Sequence, residues 1–208
     1  MEVVHMSFIS YLINGISLGS VYALIALGYT MVYGIAKMLN FAHGDVIMVG
    51  AFITYTMCST MGLSPVIGVL AAVVACTLLG MAIEKVAYKP LRKATSPLAV
   101  LITAIGVSYL LQNLVCYVTG GLAKQFPDIP LISQSVRVFG VKDKLAVFIS
   151  PLVAVVLMVI LVLIINHTKF GMSMRAVSKD FETAQLMGIK INSVISFTFI
   201  IGSALAAV

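Results

Sequence analysis

The chain has 208 residues, 61% of them hydrophobic and 10% charged, with a mean hydropathy of +1.13 and a formal net charge of +6. A soluble domain carries roughly 25% charged residues, so this composition excludes water as the main solvent of the surface. Nucleic acid is excluded as the reason for the positive charge, because Lys and Arg sit in short loops between apolar runs rather than on one soluble face.

The opening MEVVHMS has no Lys or Arg of a signal-peptide n-region, and the apolar run after it is too long for an h-region, so it reads as a retained first membrane helix. A spanning helix needs roughly 20 apolar residues. The hydropathy pattern predicts spans over residues 8–36, 46–61, 65–83, 98–118 and 146–165, and a sixth from 194 that is still apolar at Val208. The fold class expected is therefore an all-α polytopic membrane protein with about six transmembrane helices, residues 1–208 forming a single domain that is truncated at its C-terminus.

Loop charges orient these spans. Lys85, Lys89, Arg92 and Lys93 follow the third span, and Lys169, Arg175, Lys179 and Lys190 follow the fifth. Two crossings separate the two groups, so the positive-inside rule makes both cytoplasmic. Residues 120–144 then lie outside, where Pro127 and Pro130 predict a turn and the alternation of Val136, Val138 and Val141 a small hairpin. The N-terminus falls outside, and residues 37–45 inside.

Within span one, Gly15 and Gly19 are four apart, with Ala23 on the same face and Ser20 beside it, a pattern that predicts close helix packing. The run Asn40, Phe41, Ala42, His43, Gly44, Asp45 interrupts the apolar pattern. Two readings stay open on spacing alone. One is a helix break lining a pathway, tolerated only against protein or a water-filled cavity. The other is a tight inner turn, with Gly44 giving backbone freedom and Asp45 capping the next helix. Glu84 and Lys85 read as interfacial charges that snorkel. Cys58, Cys76 and Cys116 lack paired metal or redox spacing and read as small packing residues. No catalytic group, cofactor or metal site is expected.

Residues 171–192 predict an amphipathic inner helix, its seam made of Met174, Val177, Phe181, Ala184 and Gly188. Asp180 is placed to cap a helix start, Glu182 falls in the first turn, and Gly188 supplies a left-handed stop. Such a helix lies on lipid headgroups or seats in a groove of another protein.

A resemblance separates these alternatives. Glu182-Thr183-Ala184 followed by Gly188 resembles the EAAxxxG signature of ABC importer permeases, departing from it at Thr183, where Ala is usual. YALIALGYTMVYG, NFAHGD, AYKPLR, TAIGVSYLLQN and GMSMRAVSKDFETAQLMGI occur in the order seen in the LivH family of branched-chain amino acid permeases, which the chain resembles over most of its length. The resemblance implies a bacterial inner-membrane permease subunit for leucine, isoleucine or valine. It implies partnership with a second homologous permease, two cytoplasmic ATP-binding subunits and an external solute-binding protein, within membrane lipid. Coupling to the ATPases would run through Asp180, Glu182, Ala184 and Gly188, and the pathway would pass Asn40, His43, Gly44 and Asp45. No GxxxxGK[ST] phosphate loop occurs in the chain, as expected of a subunit that binds no ATP. The rival readings are a proton-coupled secondary transporter built on His43 and Asp45, and an intramembrane enzyme, for which no nucleophile or metal cluster is evident.

Overall fold

The structure, a computed structural model, describes residues 2–92, 97–122, 124–126, 134–138 and 141–208. The chain is an all-α polytopic membrane protein. Helix α1 spans Glu2–Ala36, α2 His43–Tyr55 and α3 Pro65–Ile83; π-helical turns at Thr56–Thr60 and Glu84–Tyr88 extend α2 and α3, the second leading into the short α4 (Lys89–Leu91). Then come α5 (Pro97–Thr119), strands β1 (Ser135–Val138) and β2 (Val141–Lys144), α6 (Leu145–His167), α7 (Lys169–Lys179), α8 (Phe181–Leu186) and α9 (Ile191–Ala206). Among the described residues, four segments are long and apolar enough to cross a membrane: Phe8–Ala36, Pro65–Leu91, Leu98–Thr119 and Leu145–His167. The other two expected spans, α2 with its π turn and α9, are shorter, and α9 at 1.5 Å per residue reaches about 24 Å.

The strands form the expected hairpin, antiparallel, with Val138 opposite Val141 and Ser135 opposite Lys144. Asn14 on α1 donates to Asp143 Oδ2 at 2.8 Å, fixing the hairpin to the N-terminal half of α1. The bond from Asn14, reinforced by the Lys144 amide, holds the Asp143 carboxyl below the usual carboxylate range. Pro127, Pro130 and Lys93 lie outside the described residues. Lys37, Arg92, Arg175 and Lys190 gather at the opposite end, hereafter the inner end.

Close packing happens where small residues meet, and not where the first span suggested. Among the described residues, nothing lies within 4 Å of a Cβ built at Gly15 or Gly19, so that face meets no described neighbour. The tight seam is on α3, where Gly68, Ala72, Cys76 and Gly80 are buried at four-residue spacing. The outer half of this stripe takes α2: Gly68 meets Thr54 and Cys58, and Cys76 lies against Gly50. The inner half takes α9. A Cβ at Gly80 would lie 1.8 Å from Ser203 Oγ and 2.6 Å from its Cβ, so the backbones approach as only a glycine permits. On the adjoining face of α9, one residue along, Gly202 meets Val32 and the Gly28 carbonyl of α1. Helix α9 is thereby wedged between α1 and α3. Of the cysteines, Cys76 is a buried packing residue as expected, Cys58 is half-buried and Cys116 exposed, and all three are free.

Candidate functional site

Two polar regions stand out, and α9 lies between them. The first is the break after α1. Helix α1 ends on Lys37 in the left-handed region (φ 55), the conformation normally left to glycine. Gly44 is not the flexible point, because it lies inside α2, exposed and without strain. Nor does Asp45 cap: α2 begins at His43 on Ala42, which makes no side-chain cap, and Asp45 sits in its first turn. There its charge favours the helix N-terminus.

Asn40, His43 and Asp45 are all buried. The Tyr88 hydroxyl donates to Asn40 Oδ1 at 3.1 Å. His43 packs edge-on to Tyr29 and against Gly28, where an added Cβ would lie 3.0 Å from its Nε2. Gln112 on α5 donates to Asp45 Oδ1 at 2.9 Å. His43 Nε2 and Asp45 Oδ2 are buried without a hydrogen-bond partner among the described residues. Buried polar atoms of this kind are uncommon in folded proteins. In a membrane-spanning protein, ionisable groups like these point to function.

The second region is the inner end of α3. Glu84 is fully buried, not an interfacial snorkeller, while its neighbour Lys85 is exposed as expected. The Glu84 carboxylate accepts from Arg92 and, at 2.7 Å, from the Ser196 hydroxyl on α9. Arg92 also donates to Asn192 Oδ1 in the first turn of α9. The π turn after Ile83 shifts the helix phase and brings Arg92, eight residues on, back toward Glu84. A cavity of about 640 Å³ opens beside Arg92, lined also by Met38, Phe181, Gln185, Gly188 and Asn192.

Residues 171–192 form two helices rather than one. Asp180, extended at φ −155 and ψ 123, ends α7 and caps α8, accepting from the Glu182 amide at 3.0 Å and from the Thr183 hydroxyl. Those bonds, the Thr183 one foremost, hold its carboxyl below the usual carboxylate range. Glu182 lies exposed in the first turn, and Gly188 at φ +82 makes the expected left-handed stop. The apolar seam is spent inside this chain: Met174, Val177 and Ala184 are buried against Met31, Ile35, Leu161 and Val194. What α8 presents outward is Leu186, 87% exposed, and Met187, 79% exposed. Sequence periodicity missed these two because it assigned the wrong face to a partner. Their run past the seam, LM before Gly188, was the available signal.

The two regions connect through α9. Phe199 packs on Tyr88 at 5.4 Å between ring centroids, and Tyr88 holds Asn40. Among the described residues, no group of three His, Cys, Asp or Glu is placed to hold a metal.

Residues 11–208 match the family described as "Branched-chain amino acid transport system / permease component". The chain is 41% identical over 221 residues to the high-affinity branched-chain amino acid transport system permease protein BraD of Pseudomonas aeruginosa, covering 100% of this chain and 70% of that protein. It is 36% identical over 215 residues to LivH of Escherichia coli, covering 97% and 68%. To the probable LivH of Methanocaldococcus jannaschii it is 29% identical over 193 residues, covering 89% and 59%. No solved structure matches the chain.

Proposed function

The chain belongs to the family of branched-chain amino acid transport system permease components, and on that premise we propose that it is the transmembrane permease subunit of an ATP-driven ABC importer for leucine, isoleucine and valine. The observation that carries this reading is a family match running unbroken through both the polar break and the coupling segment. The importer lies in the bacterial inner membrane and joins this chain to a second homologous permease, two cytoplasmic ATP-binding subunits and an external solute-binding protein. Residues 1–208 act as a single permease domain, and 171–192 as its coupling segment. The chain forms path and linkage and does no chemistry on the solute.

Force enters at α8. Asp180 caps this helix, Ala184 seats it on the core, Gly188 sets its exit, and Glu182, Leu186 and Met187 face the ATPase. A displaced α8 carries α9 with it through the short Met187–Lys190 link. Asn192 and Ser196 then pull on Arg92 and Glu84, while Phe199 shifts Tyr88 and so Asn40. The pathway passes the break at Asn40, His43, Gly44 and Asp45, where rigid-body movement of packed helices alternates access.

The buried His43 Nε2 and Asp45 Oδ2, without a hydrogen-bond partner among the described residues, favour one rival, proton-coupled transport. Uptake of labelled leucine into proteoliposomes holding the native assembly separates the two. Uptake that requires internal ATP and survives a protonophore supports the importer; uptake that collapses with the protonophore and ignores ATP overturns it.

A further inference from the structure

Between α1, α6 and α7 runs an open groove of about 430 Å³ that the coupling path does not use. Its lining changes along its length. Leu27, Met31 and Ile35 on α1 and Leu161 and Ile165 on α6 make an apolar wall, while Lys37 and Arg175 line it at the inner end. Among the described residues the lining includes no Asp or Glu. At 1.5 Å per residue, Leu27 lies about 15 Å from Lys37 along α1, half of a hydrocarbon core of roughly 30 Å.

The two cations are available to an anion. Arg175 is exposed, yet its Nη1 is held by the last turns of α6, donating to the Ile165 carbonyl at 2.8 Å and to Asn166 Oδ1 at 2.9 Å. Its Nη2 and Nε have no hydrogen-bond partner among the described residues, so a guanidinium fixed at one corner keeps donors free, the geometry that suits a phosphate. Lys37 is exposed as well and makes no ion pair among the described residues. Basic pockets between spanning helices at the cytoplasmic side fit anionic lipid headgroups.

The apolar wall identifies the covering material. From Leu152 to Ile165, α6 carries no polar side chain, and its exposed residues, Val155, Val159 and Leu163 among them, are large and apolar. Membrane helices join one another through small and polar residues instead, so this side of the bundle is suited to acyl chains rather than to a second protein.

We propose that the groove binds an anionic phospholipid of the inner leaflet, its phosphodiester between Lys37 and Arg175 and an acyl chain along the wall made by α1 and α6. A lipid held there ties α7 to the end of α1.

The test places the purified native assembly in phosphatidylcholine liposomes. They hold a small fraction of either phosphatidylglycerol or phosphatidylcholine carrying the same photoactivatable acyl chain, and peptide mass spectrometry locates the crosslinks. In the wild-type assembly, where no variant has to fold, the phosphatidylglycerol probe should label residues 27–35 and 161–165 at a lower mole fraction than its zwitterionic match. At about fivefold per cation near the membrane surface, Lys37→Asn with Arg175→Gln should raise the half-maximal mole fraction roughly thirtyfold. Asparagine is chosen at 37 because it tolerates the left-handed backbone there. Arg175→Lys, which keeps the charge and loses the bonds to α6, should stay near wild type, an outcome that a merely structural role for Arg175 would not give. Equal labelling by both probes in wild type, an unshifted phosphatidylglycerol curve in the double variant, or displacement of the probe by millimolar inorganic phosphate, the mark of a site for free anions, overturns the proposal. Groove peptides that take neither probe show a face covered by another subunit, and overturn it too.

Discussion

Replacing Glu84 with alanine removes the centre of the inner-end network. Glu84 is 0% exposed and uses both carboxylate oxygens, one on Arg92 and one on Ser196. Arg92, with 12% of its side chain exposed, would keep Asn192 as its side-chain partner, and its Nε is already unpartnered among the described residues. Breaking a buried pair on one side costs about 3–5 kcal/mol, because the remaining charge stays desolvated. At about 2–4 °C per kcal/mol for a chain of this size, the thermal midpoint should fall by roughly 6–20 °C. Fluorescence-detected size-exclusion chromatography after heating in mild detergent measures it. The double variant Glu84→Leu with Arg92→Met removes both charges and should recover most of the loss. A single variant within about 1 kcal/mol of wild type, or a double variant no better than the single, would refute the burial argument.

Gly80→Ala should destabilise the fold by about 1–3 kcal/mol through overpacking against Ser203; adding Ser203→Gly should relieve it and Ser203→Ala should not, since the clash includes Cβ. Gly188→Ala forces a Cβ into the left-handed region at a cost of about 1–2 kcal/mol, and Gly188→Asn should cost less, both read as thermal midpoints. Because its folded-state pKa is depressed, Asp180 contributes order to α8 above its unfolded value of about 3.9, and that contribution is lost as pH falls through the lower folded value. The protection factor of the Glu182 amide, which divides out the intrinsic pH dependence of exchange, should therefore be constant from pH 7 to about 5 and fall only near and below about 4, and Asp180→Asn should flatten this response.

The six apolar segments were legible because hydropathy over roughly 20 residues is a one-dimensional property. The caps of α8 were legible too, since Asp180, Glu182 and Gly188 act within a few residues of one another. What escaped depends on partners distant in the chain. Glu84 looked interfacial because its neighbours Lys85 and Lys89 are basic, yet its burial comes from Arg92 across a π turn and from Ser196, 112 residues away. Gly15 and Gly19 matched the spacing for close packing, but spacing cannot name the approaching helix. Gly80 and Gly202 have it, where α9 meets α3 and α1. The break at Asn40–Asp45 was visible as polarity, while its contact with Gln112 lies 67 residues on. The seam over 171–192 had Met174, Val177, Phe181 and Ala184 right but on one helix too few, because a cap that starts α8 also ends α7, and Gly188 lies exposed beyond it.

The central claim, that α8 is where an ATPase subunit pushes on this chain, is tested most directly by cysteine crosslinking in the native assembly. Cys58, Cys76 and Cys116 are free and are first replaced by Ala. Single cysteines then go at Leu186 and Met187 on the exposed end of α8, and at Leu152, exposed on the apolar surface of α6, as a control. Crosslinks to the ATPase from 186 and 187, absent from 152 and altered in extent by ATP, are the predicted result. An assembly that transports yet gives no crosslink from either position would contradict the account.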